Sequence, residues 1–287
     1  MKTKKSFIFL LFFVLPFCYT HGQTGENHNS LIGPSRGTLV IAGGGNVDSI
    51  LVTFIKLAGG NDAPIVVIPT AEGSETYNSN SGGAGTLRKL GATSITVLHA
   101  TDRDMANSET FVKPLINARA VWFGGGRQWR LVDAYKNTLT EKMIWKVLER
   151  DGVIGGSSAG ATIQGSFLVR GDTKNNQIMM GDHQEGFGFL KNAAIDQHVL
   201  ARNRHFDMYE ILSVHPELLG ISIDEGTAVI VRGDRLEVTG RSYVIVYDGT
   251  FWSREGSDLK KLPEKSMLFY FLRYGDKYDL LNRKVLK

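Results

Sequence analysis

Cysteine is nearly absent: Cys18 is the only one in 287 residues. It lies inside a stretch with the build of a removable leader, with Lys2, Lys4 and Lys5, an apolar run from Phe7 to Phe17, and a polar end at Tyr19–Gly22. That order of basic, apolar and small-residue regions is the pattern of a secretory signal peptide, expected over residues 1–22. The apolar run is shorter than the roughly 20 residues of a bilayer span, which disfavours a retained anchor. A chain that has lost this leader carries no thiol, and that excludes disulfides, thiolate metal sites and a cysteine nucleophile together.

Excess charge of one sign is also missing. The formal net charge is +4, with 33 basic and 29 acidic residues. Removing the three leader lysines leaves the remainder near neutral, so charge gives no reason to expect a nucleic-acid or membrane partner. Internal repeats, low-complexity tracts and proline-rich linkers are lacking too, with only 7 prolines in the chain. A polar stretch over 23–36, expected to be flexible, is followed by one domain over 37–287. No His-x-x-x-His or carboxylate spacing suggests a metal, and no glycine stretch completes a dinucleotide or Walker pattern, so no cofactor is expected.

What is present is an alternation of short β-branched runs with helix-length segments. Strands are expected at Thr38–Ala42, Ile65–Pro69, Ser94–His99, Ala120–Phe123 and Val153–Gly156, and helices over Ser49–Leu57, Ser81–Leu90 and Trp129–Glu149. Apolar runs of this length suit strands buried on both faces of a parallel sheet. The predicted fold class is therefore α/β, a mostly parallel sheet flanked by helices. Past Asp224 the runs Ala228–Val231, Arg235–Thr239 and Tyr243–Tyr247 alternate with turn residues, as antiparallel hairpins extending or flanking that sheet would.

The sharpest local signal is Val153-Ile154-Gly155-Gly156-Ser157-Ser158-Ala159-Gly160-Ala161. A strand entering Gly-x-Ser-x-Gly and then a helix is the context of a nucleophile elbow, which makes Ser158 the candidate nucleophile and Ser157 the weaker one. The bland alternative is a small-residue loop between strand and helix. A serine hydroxyl needs an adjacent base, and of seven histidines His198 stands out, in Ile195-Asp196-Gln197-His198 with Arg202 and Arg204 close behind. A solvated helix start capped by Asp196 is the competing account. A second glycine-rich strand end, Phe123-Gly124-Gly125-Gly126-Arg127-Gln128, should reach the same sheet edge. Gly125 or Gly126, with the N–H of Ala159, is the expected oxyanion hole.

Taken jointly, Gly43-Gly44-Gly45, Phe123–Arg130, Gly155–Ala161, Gly186–Leu190, Asp196–Arg204 and Gly220–Glu225 resemble the S51 serine peptidases, the family of cyanophycinase and aspartyl dipeptidase, over roughly residues 37–232. The resemblance implies a class I glutamine-amidotransferase-like (flavodoxin-like) fold with serine as nucleophile, to which the runs past Asp224 add a β-rich C-terminal extension. It also implies a homodimer, and as substrate cyanophycin, a poly-aspartate backbone bearing arginines, or related β-aspartyl peptides. Such a ligand needs cations for its carboxylates and acidic or amide groups for its guanidinium. The matching positions are Gln128, Asp196, Gln197, Arg202, Arg204 and Glu225, with Glu225 as the guanidinium partner. Asp172 is the expected third member of the triad, with Asp182 and Glu185 in the same segment. Where family members read glycine-arginine, this chain has Phe206-Asp207, which keeps open other β-aspartyl or α-aspartyl peptides; the alternatives to a cyanophycinase-type activity are an aspartyl dipeptidase and, against the intact Ser158 and His198, a non-catalytic binding protein on the same scaffold.

Overall fold

Every residue of Thr38–Ala42 (β1), Ile65–Ile68 (β2) and Ala120–Phe123 (β4) is buried, and so are the first four of Val153–Ser157 (β5). The computed structural model describes residues 31–100, 102–254 and 268–287, so the expected leader over 1–22 lies outside the described residues. Leu31–Lys287 forms one compact unit.

With Ile95–Val97 (β3), these strands make the parallel part of a nine-stranded sheet, in the order β1, β5, β4, β2, β3. Alternate residues enter opposite cores, as the pleat requires. Val40, Ala42, Val67 and Trp122 pack on Asp48–Ala58 (α1) and Ala84–Lys89 (α2). On the other face Leu39, Ile41, Val66, Val121 and Phe123 meet Glu109–Ile116 (α4), Trp129–Tyr135 (α5) and Leu139–Glu149 (α6). The short helix Arg103–Ala106 (α3) joins this layer. Both faces are thus covered, which is why these strands read as continuous apolar runs.

Two expected helices are interrupted. Trp129–Glu149 divides at 136–138, where Asn137 takes φ 60°. Thr138 then caps α6, its hydroxyl accepting from the Glu141 N–H, while the Glu141 carboxylate accepts from the Asn137 N–H at 2.6 Å. Serine or threonine three residues before glutamate is a helix-start signal, and it operates here at Thr138 and Glu141. Ser81–Leu90 opens as a 3-10 turn because Gly82 and Gly83 take φ of 66° and 94°.

A second, five-stranded sheet contains Gly165–Phe167 (β6), Leu190–Gln197 (β7), Leu219–Ile223 (β8), Tyr243–Tyr247 (β11) and Tyr270–Arg273 (β12), with β6, β7 and β8 parallel. Of the three expected hairpin strands, Thr227–Arg232 (β9) pairs antiparallel with β1 and Arg235–Gly240 (β10) antiparallel with β9, both extending the main sheet, whereas β11 crosses into the second sheet. Lys277–Asp279 (β13) and Lys284–Leu286 (β14) finish the main sheet's edge. The apolar faces of the two sheets share one core, where Ile154 and Val229 lie with Ile195, Ile221 and Val244.

Candidate active site

The carboxyl end of β1 organises the site. Ser158 N–H donates to the Ala42 carbonyl (3.0 Å), His198 N–H to that of Gly43 (3.0 Å), and Gly226 N–H to that of Gly44 (2.9 Å). Three loops distant in sequence are therefore fastened to successive carbonyls of one strand end.

Ser158 stands between β5 and the short helix Ala159–Thr162 (α7) with φ 57° and ψ −114°, a conformation costly for a residue with a side chain. The turn closes so tightly that a methyl group on Gly156 would lie 2.2 Å from the Gly160 carbonyl oxygen, and one on Gly160 would lie 2.2 Å from that of Phe123. Only glycine fits at either place. Gly125 faces the serine, since a methyl group there would be 3.5 Å from Ser158 Cβ. Gly126, at φ 129°, packs on the Ala71 carbonyl, and buried Ala159 begins α7.

His198 follows β7 and also takes a positive φ, 55°. Its Nε2 is 2.9 Å from Ser158 Oγ, and its Nδ1 is 2.6 Å from Glu225 Oε1. Because β7 and β8 are parallel with Gln197 opposite Ile223, the residues just past both strands emerge side by side. Gly44 makes room for the ring, for a methyl group there would come within 2.1 Å of Cε1. Burial pulls the His198 pKa below its ordinary value. The hydrogen bond to Glu225 opposes this, while the positive charges of Arg202 and Arg204 add to it.

The expectation that Asp172 would hold the histidine is corrected. Asp172 Oδ1 accepts from the N–H groups of Lys174 (2.8 Å) and Asn175 (3.2 Å), closing its own turn, and it is Glu225 that meets the imidazole. Asp182 is taken up by Thr173 and His183, and Glu185 is exposed on a β-bridge to Phe167. Glu225 is correspondingly displaced from its expected part as guanidinium partner.

Other expected pocket residues are engaged inside the protein. Gln128 Nε2 donates to the carbonyls of Val169 (2.6 Å) and Arg170 (2.9 Å). Asp196, fully buried, forms a two-pronged pair with the Arg170 guanidinium at 2.9 and 3.0 Å. Gln197 Oε1 accepts from Arg204 Nη1 at 3.3 Å, and Arg202 is exposed beside them.

Two contributors, Arg170 and Asp224, were not anticipated. Arg170 is completely buried and also donates to Asp207 at 2.6 Å, which gives Asp207 a counter-charge. Asp224 accepts from the N–H groups of Leu200 and Ala201 and from Ser242 Oγ, fixing the turn after His198. No short window of sequence signals these contacts. Among the described residues no group of three or more His, Cys, Asp or Glu side chains is placed to hold a metal ion, and no helix is long and apolar enough to cross a membrane.

The model of peptidase family S51 matches residues 38–239. The chain belongs to peptidase family S51. As an S51 peptidase it is a serine-type hydrolase. It is 30% identical over 258 residues to the cyanophycinase of Geminocystis herdmanii, covering 85% of this chain and 94% of that one. It is 31% identical over 261 residues to the cyanophycinase of Synechococcus elongatus, covering 86% and 80%. Among solved structures, a peptidase from an acI-B1 Actinobacterium superposes with a TM-score of 0.62 at 24% identity, over 86% of this S51 peptidase and 98% of that chain. A putative peptidase E protein of Listeria monocytogenes gives 0.54 at 16% identity, over 72% and 100%. Both similarities establish the α/β fold.

Proposed function

We propose that this S51 peptidase hydrolyses cyanophycin or closely related β-aspartyl peptides to dipeptides through an acyl-enzyme, with Ser158 as nucleophile, His198 as general base and Glu225 as the carboxylate orienting it. The observation that carries this reading is the continuous chain from Ser158 Oγ through His198 to Glu225, at 2.9 and 2.6 Å, beside a glycine-lined strand end. The cyanophycinases similar to this chain supply the substrate class.

A carboxylate facing Nδ1 favours the tautomer with its proton there, which leaves the Nε2 lone pair toward the serine. Ser158 Oγ attacks the amide carbon while its proton passes to Nε2. The oxyanion is held by backbone N–H groups of the Gly125–Gly126 loop and of Ala159. His198 then gives the proton to the departing nitrogen as the C–N bond breaks. A water attacks the ester carbon, losing a proton to His198, and Ser158 leaves with that proton. Glu225 stabilises the imidazolium in both halves. The leader over residues 1–22 supports export from the cytoplasm, and the resemblance supports a homodimer.

The test is to incubate purified protein and a Ser158→Ala variant with insoluble cyanophycin and with Asp-X dipeptides, and to identify products by mass spectrometry. Release of β-aspartyl-arginine by the parent alone is expected. Cleavage of the dipeptides only would replace this reading with an aspartyl dipeptidase, and cleavage of neither would sink it.

A further inference from the structure

A guanidinium-bearing substrate needs an acid in the cleft, and the acids around Ser158 already have partners. Glu225 is on His198, Asp196 and Asp207 are on Arg170, Asp224 and Asp172 hold backbone N–H groups. Glu72 accepts one backbone N–H, that of Gly82, and is otherwise exposed. It ends the 3-10 turn Thr70–Glu72 after β2, while Gly124–Gly126 follow β4 and Ser158 follows β5, the next strands in the sheet. Its carboxylate lies beside that glycine loop, for a methyl group on Gly124 would be 3.5 Å from Glu72 Oε1. The next residue, Gly125, is the one that faces Ser158. Since His198 stands on the β1 side of the serine, Glu72 flanks the cleft from the opposite side.

The backbone of the turn is held in place. Arg127 N–H donates to the Ala71 carbonyl at 2.8 Å, and Arg130 Nη1 donates to the carbonyls of Ala71 and Glu72, both at 3.1 Å. A carboxylate on so fixed a turn is preorganised, which lowers the entropic cost of gripping a ligand. The residue is exposed, yet partial burial pushes its carboxyl above the ordinary value, with a backbone hydrogen bond from Gly82 only partly offsetting this. Both features describe an acid that gains from an incoming cation.

We propose that Glu72 is the specificity residue of this cleft, binding the guanidinium of a substrate arginine held against the Gly124–Gly126 loop. The inference rests on the proposed action on arginine-bearing aspartyl peptides. It assigns to Glu72 the part that Glu225 vacates by pairing with His198.

The test compares Glu72→Gln with the parent on a short synthetic β-aspartyl-arginine oligomer and on its citrulline counterpart, which has the same shape without the charge. A charge-assisted hydrogen bond of this kind is worth about 10- to 100-fold. The parent should therefore prefer the arginine oligomer by about that factor. Glu72→Gln should raise KM for it about 10- to 100-fold, with kcat within about threefold and the citrulline oligomer unaffected. Glu72→Asp should restore part of the preference. Arginine amide should inhibit the parent competitively more strongly than citrulline amide, a measurement that needs no variant. An arginine preference that survives Glu72→Gln, or equal loss on both oligomers, overturns the inference and leaves the peptidase reading standing. A parent that cleaves neither overturns both.

Discussion

The Nδ1 of His198 lies 2.6 Å from Glu225 Oε1, although the two residues are 27 positions apart and leave different strands of the second sheet. Glu225→Gln keeps the shape and removes the charge that favours the productive tautomer and stabilises the imidazolium. Its kcat should fall about 10³- to 10⁴-fold. Asp172→Asn, which alters a turn rather than the imidazole's partner, should leave kcat within a few-fold. Steady-state kinetics on one substrate separates the two, and the assignment fails if Asp172→Asn is the more damaging.

His198 has to be neutral to accept the serine proton, and its pKa in the folded protein is lowered by burial and by the Arg202 and Arg204 charges, with Glu225 opposing. The log of kcat/KM should therefore fall with decreasing pH only as pH passes below the ordinary histidine value of about 6.5. Arg202→Gln removes one depressing charge, so the acid limb should move to higher pH, toward that value. A pH profile of both proteins reads the shift directly, and a limb that stays still or moves down would contradict the role of Arg202.

Glycine at position 44 serves the histidine ring and glycine at 156 serves the elbow, so replacing each should have a different consequence. Gly44→Ala puts a methyl group 2.1 Å from His198 Cε1 and should reduce kcat at least about 100-fold by displacing the base, with only about 1 kcal/mol from its φ of 116°. Gly156→Ala drives a methyl group against the rigid Gly160 carbonyl, which should cost about 1–3 kcal/mol or more of stability. Activity assays paired with thermal melts would distinguish them.

Arg170 and Asp196 form a fully buried pair, and removing the Asp196 charge leaves the buried guanidinium with only the partly exposed Asp207 as counter-charge. Asp196→Asn should destabilise the fold by about 3–5 kcal/mol. Asp207, whose side chain is 36% exposed, shares its interaction with solvent, so Asp207→Asn should cost only about 1 kcal/mol. Asp207→Arg should be worse than Asp207→Asn because it sets a guanidinium against Arg170. Urea unfolding midpoints order the three variants, and an Asp207→Arg protein as stable as the parent would refute this account.

The parts of this protein legible in its sequence are those whose cause lies within about ten residues. The buried parallel strands read as apolar runs because helices cover both faces of the sheet. Ser158 was readable because an elbow demands close packing at Gly156 and Gly160, a requirement written into five consecutive residues. His198 was readable from its polar neighbourhood. The break at Asn137–Thr138 was written there too, in the Thr138 and Glu141 pair, but lay within a longer run of helix-compatible residues.

Tertiary structure alone decided what those residues meet. Glu225 was visible as an acid near the site, but its partner depends on the parallel pairing that sets Gln197 beside Ile223 and on the docking of both loops to the Gly43 and Gly44 carbonyls. The contacts of Arg170 with Asp196 and Asp207 span 26 and 37 positions, and Glu72 comes beside the glycine loop because β2 and β4 are neighbours. Backbone conformation and close approach act over a few residues and so mark the sequence locally. The partner of a charge is set by strand order and register, which are properties of the assembled sheets.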